Sequence, residues 1–122
     1  MRPSQVPMAV CGLALVWCGL QAAWGHAFPE RSDPPAGATV AVAPALVRIW
    51  FDAALEPAFS SLRVQTARGQ PIPHEEGQVD PSNAALLTVH LPPLASGTYR
   101  VLWSVVARDG HRTEGTYTFT VQ

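Results

Sequence analysis

The sequence predicts an all-β domain, a small Greek-key β-sandwich or barrel. Three observations carry this. Five short runs alternate apolar and polar residues with period two. Proline, glycine, asparagine and aspartate punctuate the intervals between them, and none shows helical periodicity. Ser96-Gly97-Thr98-Tyr99 opens one run in the manner of the tyrosine corner of Greek-key sandwiches, where the phenol bonds back to the backbone.

The elements follow in order. Pro29, Pro34, Pro35, Gly37 and Pro44 crowd residues 26–45, so helix is not expected there. Residues 46–51 (LVRIWF) form the first clear strand. Residues 61–66 (SLRVQT) form the second, with Leu62 and Val64 on one face, and residues 67–70 form a turn. Residues 85–91 are the third, with Leu87, Val89 and Leu91 inward and Leu86, Thr88 and His90 outward. Residues 98–107 are the fourth. Residues 115–122 are the fifth, with Tyr117, Phe119 and Val121 alternating.

The first 25 residues have another character. Arg2 precedes an apolar run over residues 8–20, and Ala22, Ala23 and Gly25 are small. A basic start, an apolar stretch of about 7–15 residues and small residues at −3 and −1 mark a secretory signal peptide. Ala23 and Gly25 fit cleavage before His26. The expected organisation is therefore a removed signal over residues 1–25 and one domain over residues 26–122. Cleavage after Ala23 and retention as an uncleaved anchor are the alternatives. The run is short for a membrane-spanning helix, which needs about 20 apolar residues. Trp17 is too bulky to precede a lipidated Cys18.

Composition then narrows function. Cys11, Cys18, Met1 and Met8 all lie in the signal region, so residues 26–122 contain neither sulfur residue. An exported domain without disulfides depends on a packed core. It also offers no soft sulfur ligand. Seven arginines, no lysine and nine carboxylates make that domain slightly acidic, which argues against a nucleic-acid or anionic-lipid partner.

Four histidines remain: His26, His74, His90 and His111. His90 alternates outward on a strand and reads as solvent-facing. His74 lies in PIPHEEGQ and reads as part of a solvated loop, although a histidine beside two glutamates could pick up a metal weakly. Asp109-Gly110-His111 lies between the two most strand-like runs. It can be a tight Asp-Gly hairpin turn with an incidental histidine. It can also turn a carboxylate and an imidazole towards one point, since glycine permits the backbone angles required, although spacing by itself favours the plain turn.

His26 adds to the second possibility. Cleavage before it would free an α-amine, whose pKa of about 7.7–8.0 lets a metal displace its proton near neutral pH. Amine and ring Nδ1 form a chelate. With the imidazole of His111 and the carboxylate of Asp109 the set is nitrogen-rich with one oxygen. Such a set suits tetragonal Cu(II); it could hold Zn(II), which binds less tightly in the general order.

HAFPERSDPPAGATV, RIWFDAALEPAFSSLRV, LASGTYRVLWSVVARDGH and GTYTFTV resemble the CopC family of periplasmic copper-resistance proteins across essentially all of residues 26–122. The resemblance implies a cupredoxin-like or immunoglobulin-like barrel or sandwich. It implies one Cu(II) per chain, held by the amine and ring of His26, the ring of His111 and an oxygen of Asp109. It further implies a non-enzymatic periplasmic protein for copper buffering, resistance or delivery, with no substrate. An inner-membrane CopD-type copper transporter would be its partner. The Cu(I) site that some members build from a methionine-rich loop is expected to be absent. The further acidic ligand of some members has no clear counterpart, Asp52 and Glu56 being the acids nearby. Two other functions compete: a metal-free immunoglobulin-like binding module, and a small copper oxidase using the N-terminal histidine.

Overall fold

The structure, a computed structural model, describes Ser4 and residues 26–122. The expected signal peptide over residues 1–25, apart from Ser4, lies outside the described residues. Eight strands follow in order: β1 (Pro29–Asp33), β2 (Thr39–Val40), β3 (Leu46–Phe51), β4 (Ser61–Thr66), β5 (Gln78–Asp80), β6 (Asn83–His90), β7 (Gly97–Val106) and β8 (Arg112–Val121). Among the described residues, one 3-10 helix spans Pro57–Phe59. Among the described residues no helix is long and apolar enough to cross a membrane.

The strands form two four-stranded sheets, ordered β1-β3-β6-β5 and β2-β8-β7-β4. All pairings are antiparallel except β2 with β8. The fold is the expected all-β sandwich. Strands β3 and β4 have the bounds read from the alternation. The other three shift by one to three residues at their ends, and β8 begins at Arg112 rather than Gly115. Three strands were not expected: β1, β2 and β5. All are short edge strands. A strand with one neighbour and little buried surface needs no apolar row, so it leaves no period-two signal.

The inner faces meet in one core. Val47, Ile49 and Phe51 of β3 and Leu87 and Val89 of β6 face Leu62 and Val64 of β4, Tyr99, Val101, Trp103 and Val105 of β7, and Phe119 and Val121 of β8. Phe51 meets Trp103 edge-on across the sheets at 5.3 Å between ring centroids. Burying such aromatics contributes both area and a preferred ring geometry. Tyr99 donates its hydroxyl to Ala95 O at 2.6 Å, which is the bond a tyrosine corner requires.

Two outward residues of β6 are covered on their own face. Leu86 and Thr88 are buried, although they point away from the core. Their cross-strand neighbours Trp50 and Arg48 belong to a stack of long side chains, with Arg31 Cζ 3.9 Å from the Trp50 ring centroid. Arginine stems and an indole lying flat on a sheet cover the residues beneath them.

His74 also departs from expectation. It is half-buried, and its loop runs along the outer edge of β4. Ile72 N–H donates to Val64 O at 3.0 Å, and Val64 N–H donates to His74 Nε2 at 3.1 Å. His74 Nδ1 lies 2.6 Å from Glu75 O, so the ring donates there and accepts at Nε2. An imidazole thus occupies a hydrogen-bonding position that a ninth strand would fill. Both ring nitrogens are engaged, which removes His74 from the metal candidates.

Gly115 of β8 lies opposite Trp103. A Cβ at Gly115 would stand 2.4 Å from the indole Cζ2. Gly115→Ala should therefore destabilise the fold by about 1–3 kcal/mol, since the indole is pinned in the core. Denaturant unfolding checks this; an unchanged midpoint would mean that Trp103 can move aside.

Candidate metal centre

One end of the sandwich brings the sequence-selected residues together. Three segments meet there: residues 26–28, the chain following β3, and the β7–β8 hairpin.

The first segment, His26-Ala27-Phe28, alternates outward, inward, outward. Ala27 is fully buried in the core, whereas Phe28 is 54% exposed and His26 is exposed. Only a small side chain enters between the sheets, and its burial fixes the chain direction before β1 begins. Both sheets hold the backbone. Phe28 N–H donates to Asp52 Oδ1 at 2.8 Å, and Asp52 N–H returns a bond to Phe28 O at 2.9 Å. On the other side Thr113 Oγ1 donates to Ala27 O at 2.6 Å. Asp52 directly follows β3 of one sheet; Thr113 lies in β8 of the other.

The second segment is the five-residue loop between Val106 and Arg112, which pair across the hairpin. Ala107 N–H donates to His111 O at 3.0 Å and Gly110 N–H to Ala107 O at 2.9 Å. Gly110 sits at φ 91°, in the left-handed region that glycine occupies without strain. The turn is centred on Arg108-Asp109 with Gly110 following it, rather than on Asp109-Gly110, and it joins carboxylate to imidazole. Asp109 Oδ1 accepts the His111 backbone N–H at 3.0 Å, and Asp109 Oδ2 lies 2.9 Å from His111 Nδ1.

That last contact sets the chemistry of His111. A carboxylate beside Nδ1 favours the tautomer with its proton there and leaves Nε2 with the free lone pair. The His111 side chain is 56% exposed, so that nitrogen is accessible. Asp109 is held below the ordinary carboxylate range. The side-chain bond with His111 is the largest cause, the bond from the His111 backbone next; slight desolvation opposes them, and the charges of both imidazoles assist.

The rings of His26 and His111 lie 4.9 Å apart between centroids, tilted by 43°, and the Phe28 ring stands 6.1 Å from His26. Two imidazoles and a carboxylate thus meet at an exposed corner. Among the described residues, no group of three or more His, Cys, Asp and Glu side chains already stands at ligand spacing. The geometry explains this. Both Asp109 oxygens are turned to His111 rather than towards His26. The donor chemistry nevertheless fits a borderline metal that accepts nitrogen and oxygen.

The other candidates lie elsewhere. His90 pairs with Leu46, at the opposite end of β3 from Phe51 and Pro29, and is exposed. Asp52 tethers Phe28. Glu56 ties its loop to β7 through its backbone, donating to Val106 O at 2.8 Å.

Known proteins share this arrangement of strands. The CopC domain matches residues 29–122. The chain belongs to the CopC family. Among CopC relatives, protein YobA of Escherichia coli strain K12 is 34% identical over 100 residues, covering 81% of each chain. Copper transport protein CutJ of Bacillus subtilis strain 168 is 28% identical over 99 residues, which make up 80% of this chain but 18% of that protein. The crystal structure of CopC from Methylosinus trichosporium OB3b superposes with a TM-score of 0.75 at 36% identity, covering 80% of this chain and 94% of the other. PcoC from Escherichia coli, described as a methionine-rich copper resistance protein, superposes with a TM-score of 0.69 at 28% identity, covering 80% and 99%.

Asp109→Ala should release the His111 ring. Long-range proton–nitrogen spectra at a pH where the ring is neutral should show the Nδ1–H form in the native chain and a shift towards Nε2–H in the variant. An unchanged tautomer would mean that something other than Asp109 orients the ring.

Proposed function

We propose that this CopC-family chain is a non-enzymatic Cu(II)-binding protein, exported by its N-terminal segment and active in the periplasm. One copper per chain would bind after cleavage before His26. The new α-amine and the ring of His26, Nε2 of His111 and an oxygen of Asp109 form the coordination set. Family membership supports a copper-related function. The observation that carries the finer reading is the approach of the two imidazole rings to 4.9 Å, from residues 85 positions apart, at an exposed corner.

The donor set explains the choice of metal state. Nitrogen donors with one carboxylate favour Cu(II) in tetragonal geometry, whereas Cu(I) is selected by thioethers and thiolates. Residues 26–122 contain neither methionine nor cysteine, unlike the methionine-rich PcoC. Loading releases a proton from the amine, so binding weakens as pH falls below the amine's own range. An exposed corner suits capture and hand-over rather than permanent storage. A CopD-type transporter in the inner membrane is the proposed recipient. In its favour, the matching stretch of CutJ forms a minor part of a larger copper transport protein.

Titration of the cleaved chain with Cu(II), its N-terminus confirmed by mass spectrometry, tests the reading. One tight copper with a nitrogen-rich tetragonal paramagnetic resonance spectrum is expected, lost in His26→Ala and His111→Ala. A chain carrying one extra residue before His26 should bind at least tenfold more weakly. Equal affinity in the extended chain would remove the amine from the set. Weak, non-stoichiometric binding unaffected by either substitution would favour a metal-free module, and reductant-dependent substrate oxidation would favour an oxidase.

A further inference from the structure

We infer that Thr113 is a positioning residue for the metal centre: its hydroxyl sets the separation of the His26 and His111 rings. The inference rests on the proposed metal reading for its purpose, but its geometry stands without copper.

Thr113 lies in β8, two residues after His111. Its Oγ1 donates to Ala27 O, one residue after His26, at 2.6 Å, and the bond is partly buried. A closed ring results: His26, Ala27, the hydrogen bond, Thr113, Arg112, His111. One residue separates the tether from each side of the pair at most, so little backbone freedom intervenes between the bond and either imidazole. The Asp52 clamp cannot replace it. Asp52 follows β3 and fixes Phe28 to the opposite sheet. It orients the segment without joining it to the strand that continues from His111.

Position 113 faces inward in the alternation that continues through Gly115, Tyr117, Phe119 and Val121. A row of that kind ordinarily takes an apolar residue, and valine has nearly the shape of threonine. The hydroxyl is the difference, and here it satisfies a carbonyl that leaves no partner of its own when the segment departs from the sheet. An unsatisfied, partly buried carbonyl is unfavourable. Without the hydroxyl, the Ala27 peptide would rotate its carbonyl towards water while the methyl stays buried, turning His26 away from His111.

Thr113→Val tests this, with Thr113→Ser to restore the hydroxyl. Thr113→Ala, which also lacks it, serves if valine disturbs packing. In the metal-free cleaved chain, nuclear Overhauser contacts between the two imidazole rings should be present in the native protein. They should be lost in the valine and alanine variants and return in the serine variant. The His111 tautomer, set locally by Asp109, should stay unchanged in all. Cu(II) affinity should fall about tenfold in the variants lacking the hydroxyl and recover in serine, the scale of one lost hydrogen bond. Persistence of the ring contacts without the hydroxyl, with native copper affinity, would overturn the inference while leaving the copper reading intact. Absence of tight copper binding in the native chain, with ring contacts still governed by the hydroxyl, would overturn the copper reading and uphold the positioning role.

Discussion

The burial of Ala27 between the two sheets is the constraint on which the functional end of the molecule depends. A methyl group inserted in the core fixes where the chain enters. Strand alternation then forces His26 and Phe28 outward on either side of it. Three hydrogen bonds, two with Asp52 after β3 and one with Thr113 of β8, keep that entry from sliding. None of these contacts is large in energy. Their effect is geometric: the segment leading into β1 is held against a rigid core.

The opposite partner is built differently. His111 sits on a loop, yet the loop has little freedom. It closes ten paired positions of β7 and β8, and Asp109 uses both oxygens to lock the turn and the ring together. The centre therefore joins one element made firm by core burial to another made firm by local hydrogen bonding. Under the proposed copper reading, a ligand set of this kind would lose less freedom on binding than one carried by two mobile loops. Accessibility is kept at the same time, because the core lies behind the ligands and not around them.

How far this could be read from the chain depends on which atoms do the binding. Alternating runs exposed β3, β4, β6, β7 and β8, since each packs a full apolar row. Strands β1, β2 and β5 left no such mark, being short and peripheral. His26, Asp109 and His111 were legible because imidazoles and carboxylates are chemically rare types with recognisable spacing. Their convergence was expected from the donor set and the family resemblance; the route to it was not legible, because it runs through the pairing of Pro29 with Phe51 and of Val106 with Arg112. Asp52 remained ambiguous and Thr113 unnoticed for a shared reason. Each acts on a backbone atom of residues 27–28, and backbone atoms carry no sequence signature. His74 was misread similarly: its partner is the amide of Val64.

The imidazole of His74 on the edge of β4 has a consequence for how this chain can vary in length. A strand edge can be closed by any segment with the right backbone, and such segments tolerate residues added or removed in pairs. A side chain used as the closing group does not. Its reach is set by one residue, so the span from Thr66, where β4 ends, to His74 must stay constant for the nitrogen to land opposite Val64. The connection between β4 and β5 looks like an ordinary surface loop, where insertions are usually harmless. Here the first part of that loop is metrically fixed, and room for added residues begins only after the histidine.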